Sequence, residues 1–217
     1  MSTLAEIVDE ITDSIQDAAF TEDWIIKQLN KAMLLCARRV LLPELEYSGD
    51  LTTVTTGPSV VIPSDWNYHR GIYYAEVEDA PDIEVLGSLS LLLRHYPNAQ
   101  TELQTGEIEY VVIHNGSVFY YPIPTEAKTL SVKFYRKPTV FSKGYTEITE
   151  LPDELQELLL ISFVKWRAYW RIEDGAENGA PNTKQYKSDF SEALNLLDQA
   201  FDQGQSYPNY DRTTGWI

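Results

Sequence analysis

The sequence of 217 residues is long enough to bury a hydrophobic core without covalent staples, so a small disulfide scaffold is excluded. Seventeen basic residues against thirty-three acidic ones give a formal net charge of −16, which argues against a protein that grips nucleic-acid phosphates. Fourteen tyrosines and five tryptophans suit half-buried contact surfaces, so the composition favours protein partners.

The single cysteine, Cys36, cannot form an internal disulfide. Its apolar neighbours Met33, Ala37 and Val40 predict a buried core side chain and not a nucleophile. The first residues lack the basic and apolar regions of a secretory signal, and no apolar run is long enough to cross a membrane. We therefore expect a protein made and kept in a cytosol-like compartment, with no membrane partner.

Two helices are predicted at the N-terminus. Apolar residues recur at helical spacing over about 4–19, and Thr3 with Glu6 has the spacing of a capping box. Thr21 is a candidate cap for a second helix of about twenty residues, which Pro43 is expected to end. Because the connection is short, the two helices are expected to pack as a hairpin.

A mostly antiparallel β-domain is predicted over about 51–141, where β-branched and aromatic runs punctuated by glycine and proline replace the helical period. Two short strands are expected on either side of the Gly57-Pro58 turn, and 71–79 is expected to form a strand with alternating faces. One helix is expected inside this domain, since SLSLLLRHYP combines a serine cap, an apolar run and the terminating Pro97.

The clearest turn signal is Asn115-Gly116, a dipeptide that tolerates the positive φ angles of a tight turn. It predicts a hairpin between the segments EIEYVVI and SVFYYPI. The segment TLSVKFY supplies the next strand. Its alternation is expected to place Leu130, Val132 and Phe134 on one face and Ser131, Lys133 and Tyr135 on the other.

Helical spacing returns near Pro152, which suits the first helical position and is followed by two acidic residues in the first turn. The residues expected to face inward are Leu155, Leu158, Leu159, Phe163 and Trp166. After a polar, glycine-containing loop, Thr183 is a candidate cap for a fourth helix that Gly204 is expected to stop.

The predicted fold class is α+β. Two N-terminal helices over 1–48 and two C-terminal helices over 144–204 are expected to form one bundle, because four amphipathic helices must bury their apolar stripes. The β-domain of 49–143 is inserted between them, and 205–217 forms an extended C-terminal tail.

The sequence contains no phosphate-binding glycine loop, nucleophile elbow, zinc motif or cysteine cluster. The three histidines, His69, His95 and His114, lie far apart in sequence, which gives little support to a metal site or a triad. We therefore expect no catalytic residues, no cofactor and no metal.

Two alternative functions use other residues. A cell-wall hydrolase would need paired carboxylates such as Glu107 and Glu109, although a solvated strand face explains these better. A carbohydrate- or receptor-binding module would use the aromatics of GIYYAEV and SVFYYPI as a stacking platform.

Two further features favour protein contacts. Small basic groups, among them Lys165, Arg167 and Arg171, are able to meet the acidic face of an identical neighbour, since a ring of like subunits needs two complementary patches on each copy. The tail ends in aromatic and apolar residues that a solvated terminus has little reason to carry. Its candidate anchors are Tyr207, Tyr210, Trp216 and Ile217.

Several phrases in succession resemble the head-to-tail adaptor (connector, or tail accessory factor) family of tailed bacteriophages. After the N-terminal helical hairpin they are VVIPSDWNYHRGIYYAEV, GEIEYVVIHNGSVFYYPIP, TLSVKFYRKPTVF and ELPDELQELLLISFVKWRA. The resemblance covers nearly the whole chain in order.

The resemblance implies a structural protein of the virion, located at the head-tail junction. It implies a dodecameric ring under the portal protein that extends the DNA channel and docks a downstream tail or nozzle protein. Genomic DNA would pass without specific binding. Residues 205–217 correspond to the arm that reaches along the portal in such proteins, which makes the tail anchors candidate portal-binding residues.

Overall fold

The computed structural model describes residues 3–78, 82–99, 104–145, 147–173 and 180–202. The helices are α1 (Leu4–Ile15), α2 (Glu22–Arg39), α3 (Leu89–His95), α4 (Asp153–Ile172) and α5 (Pro181–Asp202). The strands are β1 (Glu46–Thr52), β2 (Ser59–Val61), β3 (Tyr68–Val77), β4 (Glu84–Leu86), β5 (Tyr110–His114), β6 (Ser117–Tyr121) and β7 (Thr129–Arg136). The predicted α+β class is confirmed.

The chain divides into two compact units. The helical unit contains the described residues of Met1–Leu45 and Lys137–Gln205, and the strand unit contains those of Glu46–Arg136. The four long helices thus belong to one unit, while the seven strands and α3 belong to the other.

In the helical unit, α4 packs against α1, α2 and α5. The first half of α4 is apolar on several sides, as a central helix must be. Its fully buried apolar residues include Leu159, Leu160 and Val164, and those of its neighbours include Ile11, Leu29 and Leu197. Phe163 of α4 contacts Phe190 of α5 with ring centroids 5.0 Å apart, which fixes the antiparallel register of this pair.

The predicted capping box begins α1. Thr3 N donates to Glu6 Oε2 at 2.7 Å, and Glu6 N donates to Thr3 Oγ1 at 3.2 Å. The predicted end at residue 19 is wrong, because Gln16 adopts a left-handed conformation with φ of 48° and Asp17 Oδ1 accepts a hydrogen bond from Ala19 N. The helix therefore stops at Ile15.

Helix α2 begins where expected, with Thr21 Oγ1 accepting from Trp24 N at 3.4 Å. It does not reach Pro43. The chain becomes extended at Val40, with φ of −125°, so α2 ends at Arg39 after 18 residues. Pro43 instead begins a short 3₁₀ turn, Pro43–Leu45, since proline lacks only the N–H that a first turn leaves unused.

The two C-terminal helices differ from the prediction at their starts. Pro152 precedes α4 as its cap, and Leu158 is 41% exposed although it was expected to face inward. The last helix starts at Pro181, so Thr183 lies inside it and donates its hydroxyl to Glu173. The predicted stop at Gly204 lies outside the described residues.

The strand unit holds a three-stranded sheet ordered β1-β7-β3 and a four-stranded sheet ordered β2-β6-β5-β4. Every pair is antiparallel except β4 with β5, which is parallel. The strands on either side of the Gly57-Pro58 turn do not pair with each other. They belong to different sheets, β1 beside β7 and β2 beside β6.

The predicted hairpin is confirmed. Asn115 and Gly116 both have positive φ, 50° and 74°, and join β5 to β6. On β7, Tyr135 is only 4% exposed, because it packs against Tyr73 of β3 with ring centroids 5.4 Å apart. Both faces of this central strand are therefore partly buried. The alternation of apolar and polar residues alone underestimates how many of its side chains are buried.

Candidate functional site

The predicted portal-binding anchors, Tyr207, Tyr210, Trp216 and Ile217, lie outside the described residues. The expected tail of 205–217 therefore stays a prediction. The helical unit nevertheless offers two surfaces that could bind a partner.

The carboxylates considered for hydrolysis have ordinary partners. Glu107 Oε2 lies 2.8 Å from Lys128 Nζ in an ion pair. Glu109 Oε2 accepts a hydrogen bond from Tyr96 Oη at 3.0 Å, which raises the pKa of that tyrosine. Both glutamates are exposed, as expected for solvated positions.

The histidines and the cysteine also have structural surroundings. His95 stacks on Tyr110 with ring centroids 5.4 Å apart, and His114 contacts Phe119 edge-on. Cys36 is fully buried, and burial raises the pKa of its thiol to about 12, which keeps it protonated and unreactive. Within the described ranges, no group of three or more His, Cys, Asp or Glu residues is placed to hold a metal ion.

The aromatic platform expected for a carbohydrate-binding module is mostly inside the strand unit. Tyr120 and Tyr121 are buried, with exposures of 0% and 2%. Tyr74 is exposed, but Lys133 Nζ lies 5.1 Å from its ring centroid and its hydroxyl donates to Glu76. The expectation that SVFYYPI presents these tyrosines to solvent is wrong.

One surface of the helical unit, the tryptophan face, brings together residues from α2, α4 and α5. It consists of Trp24, Trp166, Arg167, Trp170, Arg171 and Lys187. Arg171 lies over the Trp24 ring at 5.4 Å, and Arg167 and Lys187 lie over the Trp166 ring at 5.6 and 6.0 Å. Trp170 is 37% exposed.

The chemistry of the tryptophan face is that of a protein contact. Tryptophan and arginine are the residues most enriched at binding hot spots, and three cations at one place contrast with a chain of net charge −16. Among the described residues, neither Arg167 nor Arg171 forms an ion pair. The indole N–H groups of Trp24 and Trp166 are buried without an acceptor in the same part of the chain.

The second surface is a groove of about 820 Å³ along α1. Its apolar wall includes Leu4, Ala5, Val8, Phe20 and Ile26. Acidic side chains from α1, from the turn after it and from the start of α2 line the same groove. These are Asp9, Asp17 and Glu22, and Lys143 closes one side.

Charge at the rim of the groove is only partly compensated. Lys143 Nζ lies 3.0 Å from Glu22 Oε2 and 3.1 Å from Asp23 Oδ1, and these contacts raise the pKa of the lysine. In the ranges that the structure describes, Asp9 and Asp17 have no cationic partner. The groove therefore combines an apolar wall with an acidic rim.

The two surfaces adjoin at the start of α2, where Phe20 of the groove wall contacts Trp24 of the tryptophan face with ring centroids 4.7 Å apart. Sequence reasoning found Arg167 and Arg171 but missed Trp24, Trp170 and Lys187. The available signal was Trp166 and Trp170, spaced i and i+4 on one helical face with an arginine after each.

The described ranges contain no helix with the length and apolar character that crossing a membrane requires. No significant match was found among curated proteins. A family model described as SU10 adaptor protein matches residues 2–213, which is nearly the whole chain. The chain therefore belongs to the SU10 adaptor protein family and is a phage adaptor, a component of the virion.

Proposed function

We propose that this chain is a structural, non-enzymatic head-to-tail adaptor that forms a ring under the portal, extends the DNA channel and docks the tail. The observation that carries the proposal is the match of the adaptor family over residues 2–213. The family resemblance seen in the sequence implies that this ring contains twelve copies.

The surfaces of the helical unit support a ring. Subunits that associate head to tail need two different, complementary patches on each copy, and such contacts close into a ring when the rotation allows. The tryptophan face is cationic and aromatic, while the groove is acidic and apolar. Neither patch is complementary to itself.

The charge of the chain fits a DNA channel. An acidic wall offers a duplex no cations to bind, so DNA passes without specific contacts. The C-terminal segment 205–217 is proposed as the arm that binds the portal through Tyr207, Tyr210, Trp216 and Ile217.

Co-sedimentation with portal rings of the same phage tests the proposal. The full chain is expected to sediment with the rings, and a chain truncated after Gly204 is expected to remain in the supernatant. A matched control replaces only the four anchors by alanine and keeps the length. If the full chain does not bind portal rings, or hydrolyses purified peptidoglycan, the proposal is wrong.

A further inference from the structure

We infer that the groove along α1 of one copy receives the tryptophan face of a second copy, with Trp170 as the central anchor. The inference rests on the proposed ring and names the surfaces that would form it. It follows from complementarity of shape, charge and hydrogen bonding between two surfaces of the same unit.

Shape favours Trp170 as the inserted residue. It is the most exposed tryptophan of the face, and it lies near the end of α4, where the helix projects its side chains towards solvent. A groove of about 820 Å³ with an apolar wall has room for an indole ring and the stems of flanking cations.

Charge favours the same pairing. Arg167 and Arg171 flank Trp170 and form no ion pair among the described residues. At the groove rim, Asp9 and Asp17 also form no ion pair among the described residues. Docking would bring opposite charges together at the edge of an apolar contact, an arrangement that steers association and fixes orientation.

Hydrogen bonding adds an independent reason. The buried indole N–H groups of Trp24 and Trp166 have no acceptor within the described part of the chain, which is a cost to the isolated subunit. A second copy docked on this face would bring carboxylates of the groove rim towards these donors. Contact with a second copy therefore relieves a cost that the single copy carries.

Disulfide trapping tests the contact directly. One full-length variant carries Ala5→Cys in the groove, and another carries Lys184→Cys, one turn before Lys187 on α5. Cys36 is fully buried and does not interfere. After oxidation, with and without portal rings, the mixture is expected to give a dimer of the two variants at about ten times the yield of either variant alone.

The control for this experiment is Ser14→Cys in place of Ala5→Cys. Ser14 is exposed on the same helix, about 180° around its axis from Ala5. If Ser14→Cys traps as well as Ala5→Cys, or if dimers of a single variant dominate, the inferred contact is wrong.

A charge swap gives a second measurement. Arg167→Glu and Asp9→Lys, each alone, are expected to lower the amount of chain assembled on portal rings about tenfold, and the double variant is expected to recover most of it. Arg94→Glu and Glu192→Lys make the same changes at exposed positions outside both surfaces and should assemble normally.

The two proposals fail in different ways. If the unmodified chain does not bind portal rings, the proposed function is wrong, and trapping between free copies still decides the contact. If the chain binds portal rings but the charge-reversed variants assemble equally well, only the inferred contact is wrong.

Discussion

The indole ring of Trp66 lies directly over the backbone of Gly49. A Cβ atom added at Gly49 would sit 2.6 Å from Cζ2 of the tryptophan, which is closer than such atoms approach. The ring cannot easily move away, because it stacks on Phe134 with centroids 5.2 Å apart and also contacts Tyr47. Glycine at this position of β1 is thus required by close packing.

Gly49→Ala is therefore expected to lower the free energy of unfolding by about 1–3 kcal/mol, the usual cost of overpacking. Urea unfolding followed by tryptophan fluorescence measures it. The matched control is Gly57→Ala, where an added Cβ meets nothing within 4 Å. If both variants unfold at the same urea concentration, the close approach of Trp66 is not a constraint.

Gln156 is fully buried and holds the segment before α4 in place. Its Nε2 donates to the carbonyl oxygens of Ile148 and Leu151 at 2.8 and 2.9 Å and to Asp153 Oδ1 at 3.1 Å. Gln156→Leu keeps the volume but takes the amide donor away from the carbonyl oxygens of Ile148 and Leu151, so we expect a loss of about 1–3 kcal/mol. Thermal unfolding measures the loss, and Gln156→Glu should be worse because a carboxylate would face the carbonyls.

Tyr120 joins two parts of the strand unit from within its core. Its hydroxyl accepts from Val54 N at 2.7 Å and donates to Val54 O at 3.1 Å. Tyr120→Phe removes the partner of both backbone groups and is expected to cost about 1–3 kcal/mol. Tyr74→Phe, at an exposed tyrosine, is the control and should change stability little; equal losses would contradict the role of the buried hydroxyl.

Glu173 accepts hydrogen bonds from the first turn of α5. Its carboxylate accepts from Thr183 Oγ1 at 2.7 Å and from Thr183 N at 3.0 Å, with further bonds from Asn182. These hydrogen bonds, that from the Thr183 side chain first, hold the pKa of Glu173 below its ordinary value. The stabilisation is therefore complete above the unfolded pKa, about 4.3, and is lost as pH falls through the lower folded value.

Glu173→Gln is accordingly expected to lower the urea midpoint at pH 7 and to reduce its dependence on pH between 7 and 3. Glu192→Gln, at an exposed position of the same α5, is the control. If the two variants show the same dependence on pH as the unmodified chain, Glu173 does not stabilise the start of α5.

Local features of the fold were predictable, and pairings between distant segments were not. The Asn115-Gly116 turn and the Thr3–Glu6 capping box follow from a few neighbouring residues, because their backbone conformations are set locally. The two strands beside Gly57-Pro58 pair with strands that are distant in sequence, β1 with β7 and β2 with β6. Nothing near that turn specifies those partners.

The candidate surface shows the same limit. Arg167 and Arg171 stood out as cations in an acidic chain, whereas Trp24 comes from a distant segment and joins them only through the packing of α2 on α4. Leu158 follows the apolar pattern of α4 but remains 41% exposed, because periodicity gives the direction of a side chain and not what covers it.

The segment that builds the strand unit starts and finishes at one place. Glu46, at the head of β1, is paired directly with Tyr135 near the end of β7, and paired antiparallel strands run about 5 Å apart. A gene segment encoding 46–136 could thus be gained, lost or exchanged by recombination between viruses, with a short turn closing the remaining chain.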